Sequence, residues 1–231
     1  MRGFLARGCL LAVLSVLTVS CETPGLPGPI AQLDRYQKAE AAGQYKDIVA
    51  DSLSGDCTGG GSASDACPKL HAIRARACLT LAHQAAAPNA ACPGSGARDL
   101  LACAAENYGA VMDSATFSPA QRTDFRDNHA RATYCLANLS AGADRQSLGQ
   151  QALDDLTRLP QDPRRDQLAA STALLLADGA SGTARCDLYR QAAARARRGL
   201  GDQPTADVAA GLQSALNTAQ ARAGRANCGR I

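Results

Sequence analysis

The amino-acid sequence predicts an all-α fold, and the amino-acid composition is the first indication of it. Alanine makes up about a fifth of the 231 residues, whereas aromatic residues account for 3% and tryptophan is absent. Alanine has the highest helix propensity, and strands favour the β-branched and aromatic side chains that are scarce here. Apolar residues also recur at helical spacing between segments rich in proline, glycine and serine. We therefore expect about nine helices.

Apolar stripes place the first three helices. The stripes are Ile30, Leu33 and Tyr36 or Gln37 in residues 30–42, then Tyr45, Ile48, Val49 and Leu53, then Leu70, Ile73, Ala77 and Leu81. Gly43 breaks the first helix. Pro68 suits the first position of the third, because an N–H at that position has no partner within the helix. A loop over residues 54–67 separates the second helix from the third.

The middle three helices follow the same pattern. Their stripes are Leu100 or Leu101, Ala104, Tyr108 and Val111 in residues 97–113, then Phe125, Ala132 and Leu136, then Leu148, Ala152, Leu153 and Leu156 in residues 144–159. Ser118 and Pro119 form an N-terminal cap for the fifth helix. Pro160 ends the sixth.

The last three helices complete the domain. They cover residues 163–178 (Leu168, Leu174, Leu176), about 182–198, and 205–223 (Val208, Leu212, Ala215, Leu216, Ala219). The segment GASGT makes a tight turn between the seventh and the eighth. The helices therefore pair as hairpins of about 35–45 residues, which is the period of helical repeats.

Two segments have a repeat-like pattern. In YQKAEAAGQYKDIVADSL (36–53), Ala39, Gly43 and Tyr45 stand where the middle of a tetratricopeptide repeat has small residues and tyrosine, and Ile48 departs from that pattern. QALDDLTRLPQDP (151–163) resembles the end of such a repeat. The resemblance implies stacked hairpins with a concave face. The alternative is a disulfide-tied helical bundle, since the loops at 54–67 and 86–97 are long for that family.

The N-terminus is typical of an export signal. Arg2 and Arg7 precede an apolar run over residues 8–19, which is shorter than the roughly 20 residues of a membrane span. Leu17-Thr18-Val19-Ser20-Cys21 resembles the lipobox of bacterial lipoproteins. That resemblance implies cleavage after residue 20 and lipidation of Cys21. A plain signal peptide is the alternative.

The expected organisation is a signal peptide over 1–20, a tether over 21–29 and one helical domain over 30–231. The proline-rich ETPGLPGPI that follows Cys21 suits a tether. Lipoproteins kept in the inner membrane usually have Asp after the cysteine, where this chain has Glu22. By that resemblance we expect an anchor in the outer membrane, facing the periplasm, and two or more acyl chains would hold it stably.

The cysteine count fits an exported protein. Ten cysteines are present, and eight remain if Cys9 leaves with the signal and Cys21 carries lipid. An even number indicates disulfides. We expect Cys57–Cys67, across a glycine-rich loop, and Cys186–Cys228, near the last two helices. The remaining four are expected to pair among themselves in an order that the sequence leaves open: Cys78, Cys92, Cys103 and Cys135.

Charge and motifs argue against several functions. Removal of residues 1–20 takes two arginines and no acidic residue, which lowers the formal charge from +3 to +1 and gives no drive toward nucleic acid. We expect no catalytic residues, cofactor or metal, because His71, His83 and His129 form no recognisable set. Asp154 and Asp155 are interpreted as solvated carboxylates.

One arginine-rich segment is a candidate interaction patch. It comprises Arg185, Arg190, Arg195, Arg197 and Arg198. Arginine binds carboxylates and phosphates well at interfaces. The other interpretation is a solvated helix face in an arginine-rich chain.

The resemblance to bacterial lipoproteins with tetratricopeptide-like repeats implies an envelope-anchored lipoprotein that binds another envelope protein as a scaffold or assembly factor. The first alternative is a structural or surface-displayed disulfide-rich lipoprotein. A periplasmic enzyme or metal carrier is the second alternative.

Lipidation at Cys21 predicts a simple labelling result. The Cys21→Ser protein should incorporate no labelled palmitate, because its hydroxyl cannot replace the thiol that carries the lipid. Cys9→Ser is the matched control and should keep the label, since Cys9 leaves with the signal. Label that persists in Cys21→Ser would contradict the lipoprotein interpretation.

Overall fold

The computed structural model describes residues 28–58, 65–87, 90–229 and 231, and these confirm the all-α prediction. Within them the chain forms nine α-helices and no strand. The helices are α1 Gly28–Ala41, α2 Tyr45–Ala50, α3 Ala66–Gln84, α4 Arg98–Gly109, α5 Pro119–Asn138, α6 Gly142–Arg158, α7 Pro163–Gly179, α8 Gly182–Gly201 and α9 Ala206–Arg225. Cys9, Cys21 and the expected signal lie outside the described residues.

Some helix boundaries differ from those expected, for local reasons. α1 begins at Gly28, two residues inside the expected tether, and Pro29 fits its first turn. α3 begins at Ala66, so Pro68 is its third residue, where the N–H would still have no partner within the helix. α4 ends at Gly109, and hydrogen-bonded turns follow it. Most of the apolar stripes are nevertheless buried.

The stripe expected in α1 is partly wrong. Ile30 is 40% exposed, whereas Gln32 is buried. The Gln32 amide donates to the Ser52 carbonyl (2.6 Å) and accepts from the Ser54 N–H (2.8 Å). Burial of this polar group is tolerated because its hydrogen bonds are made inside the protein.

A single arginine ends α2, which has only six residues. Arg74 of α3 donates to the carbonyls of Ile48 and Val49, both at 3.1 Å, and to the carbonyl of Asp51. The last carbonyls of a helix have no partner within it, and a cation there is favoured by the helix dipole. α2 is therefore fastened to α3 instead of continuing to Leu53 as predicted.

Alanine supplies much of the core. In α7 and α8 the fully buried side chains include Ala169, Ala170, Ala173, Ala177, Ala192, Ala193 and Ala196. Glycine brings helices closer still at two points. A Cβ at Gly149 would lie 2.8 Å from Leu176, and a Cβ at Gly199 would lie 2.9 Å from Leu212. The helices are thus packed at short range around small side chains.

The odd-numbered helices lie side by side at three junctions. α1 contacts α3, α5 contacts α7, and α7 contacts α9, while each of these helices also packs on its neighbour in sequence. An ion pair crosses each of the three junctions: Glu40–Arg76, Asp127–Arg165 and Asp178–Arg222. Their sequence separations of 36, 38 and 44 residues fall within the hairpin period predicted from the sequence. Membership of the tetratricopeptide family stays a prediction.

Four disulfides join the eight cysteines expected to pair. They are Cys57–Cys67, Cys78–Cys103, Cys92–Cys135 and Cys186–Cys228, with Cα–Cα distances of 5.2, 6.0, 5.4 and 5.3 Å. The first and last agree with the sequence prediction, and the structure supplies the order of the other four. Cys78–Cys103 connects α3 to α4, Cys92–Cys135 connects the loop between these helices to α5, and Cys186–Cys228 ties the tail after α9 to α8.

None of the helices within the described ranges has both the length and the apolar character that crossing a bilayer requires.

Candidate functional site

The arginine-rich segment of α8 is engaged by a buried carboxylate. Asp166 of α7 is 1% exposed. Arg198 donates two hydrogen bonds to this carboxylate, from Nε to Oδ2 (2.8 Å) and from Nη2 to Oδ1. Arg195 Nη1 lies 3.6 Å from the same Oδ1. These hydrogen bonds raise the pKa of the Arg198 guanidinium. Two arginines thus neutralise an otherwise costly buried charge.

The other three arginines of the candidate patch also have partners in the chain. Arg190 donates to Asp187 and to the Cys228 carbonyl, Arg185 to the Ala180 carbonyl, and Arg197 to the carbonyl of Ile231. They fasten the C-terminal tail and the α7–α8 turn. These contacts favour a structural role for the segment over a free interaction patch.

The interpretation of Asp155 as a solvated carboxylate is wrong. Asp154 is exposed, but Asp155 is only 4% exposed. Its carboxylate lies 2.5 Å from His129 Nδ1 and 3.6 Å from Arg126 Nε. The sequence held a usable signal, since Asp155 follows Ala152 by three residues and so shares the buried face of α6. The cluster links α5 to α6.

The three histidines are not brought together. Both ring nitrogens of His71 are at hydrogen-bond distance from groups in the chain, Asn107 Oδ1 (2.7 Å) and the Cys57 carbonyl (3.1 Å). His129 belongs to the Asp155 cluster, and a Cβ on Gly109 would lie 3.4 Å from its Nε2. No group of histidine, cysteine and acidic residues suited to a metal occurs in the part of the chain that the structure describes.

A polar groove runs between α5, α7 and α9. Its volume is about 380 Å³. Leu174, Leu175 and Ala215 supply its apolar lining. The polar lining residues are Tyr134, Asn138, Gln167, Ser171, Asp178, Ser214, Thr218 and Arg222. The groove is therefore lined mainly by amides and hydroxyls, with a smaller apolar component.

Three side chains of the groove have unused hydrogen-bonding capacity. Gln167, Ser214 and Thr218 make no side-chain hydrogen bond with any described residue, whereas Asp178 and Arg222 are paired at 2.6 Å. A Cβ at Gly211 would lie 2.0 Å from Gln167 Nε2, so the glycine makes room for this amide beside α9. Burial raises the pKa of Tyr134, and the nearby side chains of Ser171 and Asn138 oppose this rise only in part.

A second opening, which we call the cleft, lies between α3, α4 and α5. Its volume is about 500 Å³, and its lining residues are Arg76, Tyr108, Gln121, Asp124, Phe125, Asp127 and Asn128. Burial raises the pKa of Tyr108 to about 12. Arg76 binds both oxygens of Glu40, at 2.7 and 3.0 Å, which also raises the pKa of the arginine.

The cleft and the groove both include side chains of α5, and we call these two openings together the odd-helix face. Sequence reasoning missed this face because no single residue on it is unusual. Gly211, Ser214 and Thr218 do recur on α9 beside its apolar stripe. That small and polar stripe is the one local signal of the groove.

Comparison with protein-family models, curated proteins and solved structures returns no match.

The buried Asp166 pair predicts a large and specific loss of stability. Asp166→Asn should lower the free energy of unfolding by about 1.5–3 kcal/mol, because it removes the charge that Arg195 and Arg198 bind, while Arg198 is 37% exposed and stays partly solvated. Asp187→Asn is the matched control. Asp187 pairs with Arg190 but its side chain is 62% exposed, so its loss should cost less than about 1 kcal/mol. Urea unfolding measures both, and equal losses would contradict the role assigned to Asp166.

Proposed function

We propose that this chain is a lipid-anchored envelope protein that binds an extended segment of another envelope protein along the odd-helix face. The observation that supports it most is the free hydrogen-bonding capacity of Gln167, Ser214 and Thr218 in the groove. The anchor and the location rest on the sequence around Cys21.

An extended polypeptide is the occupant that this chemistry suits. Its main chain carries an N–H and a C=O at nearly every residue, and each loses water on binding. Amide side chains such as Gln167 and Asn138 donate and accept, and the hydroxyls of Ser214 and Thr218 do the same. The charges of Asp178 and Arg222 cancel each other. The groove therefore offers main-chain recognition with little selection for charge.

The outer surface gives little support to apolar docking. Among the described residues, Ile30 is the one large hydrophobic side chain classed as exposed. Large apolar patches usually mark surfaces that bind by hydrophobic contact. Binding through hydrogen bonds in the groove is therefore the better supported mode.

A structural or displayed lipoprotein is the second candidate. Four disulfides and the buried Asp155 and Asp166 clusters favour it, because they make a rigid body. The two candidates differ in whether the groove is occupied in the cell.

Photo-crosslinking at the groove distinguishes the binding function from the purely structural one. A photoreactive phenylalanine at Ser214 should give a covalent adduct of one defined mass in intact cells, since the side chain points into a bound segment. The same residue at Ser147, exposed on α6, is the matched control and should give none. Adducts at both positions, or at neither, would remove the support for binding in the groove.

A further inference from the structure

Tyr108 is a nearly buried side chain that opens onto the cleft. It is 1% exposed and yet belongs to the lining. Its hydroxyl makes no hydrogen bond with any residue that the structure describes. The Tyr108 oxygen is not among the fully buried polar atoms that lack a partner, so solvent in the cleft reaches it. The hydroxyl of Tyr108 is thus left for an occupant of the cleft.

Two further polar groups on α5 face the same opening. Asp124 and Asn128 both line the cleft, and neither has a side-chain partner among the described residues. They are four residues apart on one helix, so their side chains are neighbours. The cleft therefore presents a free carboxylate, a free amide carbonyl and a free phenol oxygen, which are three acceptors.

The remaining charges around the cleft are already matched. Arg76 is neutralised by two hydrogen bonds to Glu40. Asp127 is shared by Arg131 (2.9 Å) and Arg165 (3.1 Å). Asp124 is thus the lining charge without a counterion.

The wall of the cleft is aromatic as well. Phe125 lines it, and its ring centroid is 6.0 Å from that of Tyr108 and 4.8 Å from that of Phe117. A cation near an aromatic ring gains attraction from the ring quadrupole. Acceptors, an unmatched carboxylate and aromatic rings together suit a positively charged group that carries several N–H donors.

From this combination we propose that the cleft binds a lysine or arginine side chain of the segment that lies on the odd-helix face. The inference rests on the proposed function and adds the chemistry of one anchor residue. α5 separates the cleft from the groove, and a helix is about 10 Å across, so at least about three extended residues must bridge the two sites. The partner should carry a basic residue followed by an uncharged stretch.

Small capped amino acids test the charge assignment directly. The full chain, purified in detergent, is titrated with N-acetyl-lysine N-methylamide while the amide resonances of residues 121–128 are followed by NMR. We expect these resonances to shift in a saturable way, and the glutamate and norleucine analogues to leave them unchanged.

Asp124→Asn should weaken binding of the lysine probe about threefold or more, since it removes the carboxylate charge that would pair with the lysine at an exposed position. The substitution keeps the shape of the side chain. Asp154→Asn, an equal charge change on the exposed face of α6, is the matched control and should change nothing. Tyr108→Phe should also weaken binding, because it removes the phenol oxygen.

Three results would overturn the proposal: shifts with the glutamate probe instead of the lysine probe, no shifts with either, or shifts that Asp124→Asn leaves intact. Its failure is distinct from failure of the proposed function. Adducts at Ser214 together with a silent cleft would leave the binding function standing and remove the basic anchor. Binding of lysine in the cleft without adducts at Ser214 would leave the basic site standing and remove the support for binding in the groove.

Discussion

Alanine fills many of the fully buried positions, and its side chain removes much less apolar surface from water than leucine or phenylalanine does. A core of this kind lets helices pack at short range, with glycine at the closest points. It also provides a modest hydrophobic contribution for each buried residue. The fold therefore depends on additional cross-links, which are disulfides and buried ion pairs. The distribution of these cross-links along the chain explains much of the architecture.

These cross-links include disulfides toward both ends of the chain, whereas those in the middle are ionic. Disulfides join α3 to α4, the loop between these two helices to α5, and the C-terminal tail to α8, whereas no cysteine occurs between Cys135 and Cys186. In this interval Asp155 joins α5 to α6, and Asp166 joins α7 to α8, each through basic partners. Removing one partner of a buried ion pair is destabilising, because it leaves the other charge uncompensated. A face held in this way is largely preformed, which lowers the ordering cost of binding.

Local signals in the sequence account for what could be predicted. Proline, glycine and serine punctuation placed most helix boundaries within a few residues, because capping and breaking are decided over a single turn. The Cys57–Cys67 pairing could be predicted because the two cysteines are near neighbours in sequence. By contrast, Arg198 meets Asp166 across 32 residues, and the groove takes its walls from three helices. Such long-range contacts leave no local trace. The charge of Asp155 favours a solvated position, but its register on α6, three residues after the buried Ala152, places it on the buried face.

The division between covalent ends and an ionic middle is tested most directly by amide hydrogen exchange on the full chain, oxidised and after reduction of its disulfides. Reduction should accelerate exchange in α3, α4 and the segment around Cys186 and Cys228, while α6 and α7 keep most of their protection. Loss of protection in α6 and α7 as early as in α3 and α4 would contradict the account, because the buried aspartate clusters would then not hold the middle of the molecule.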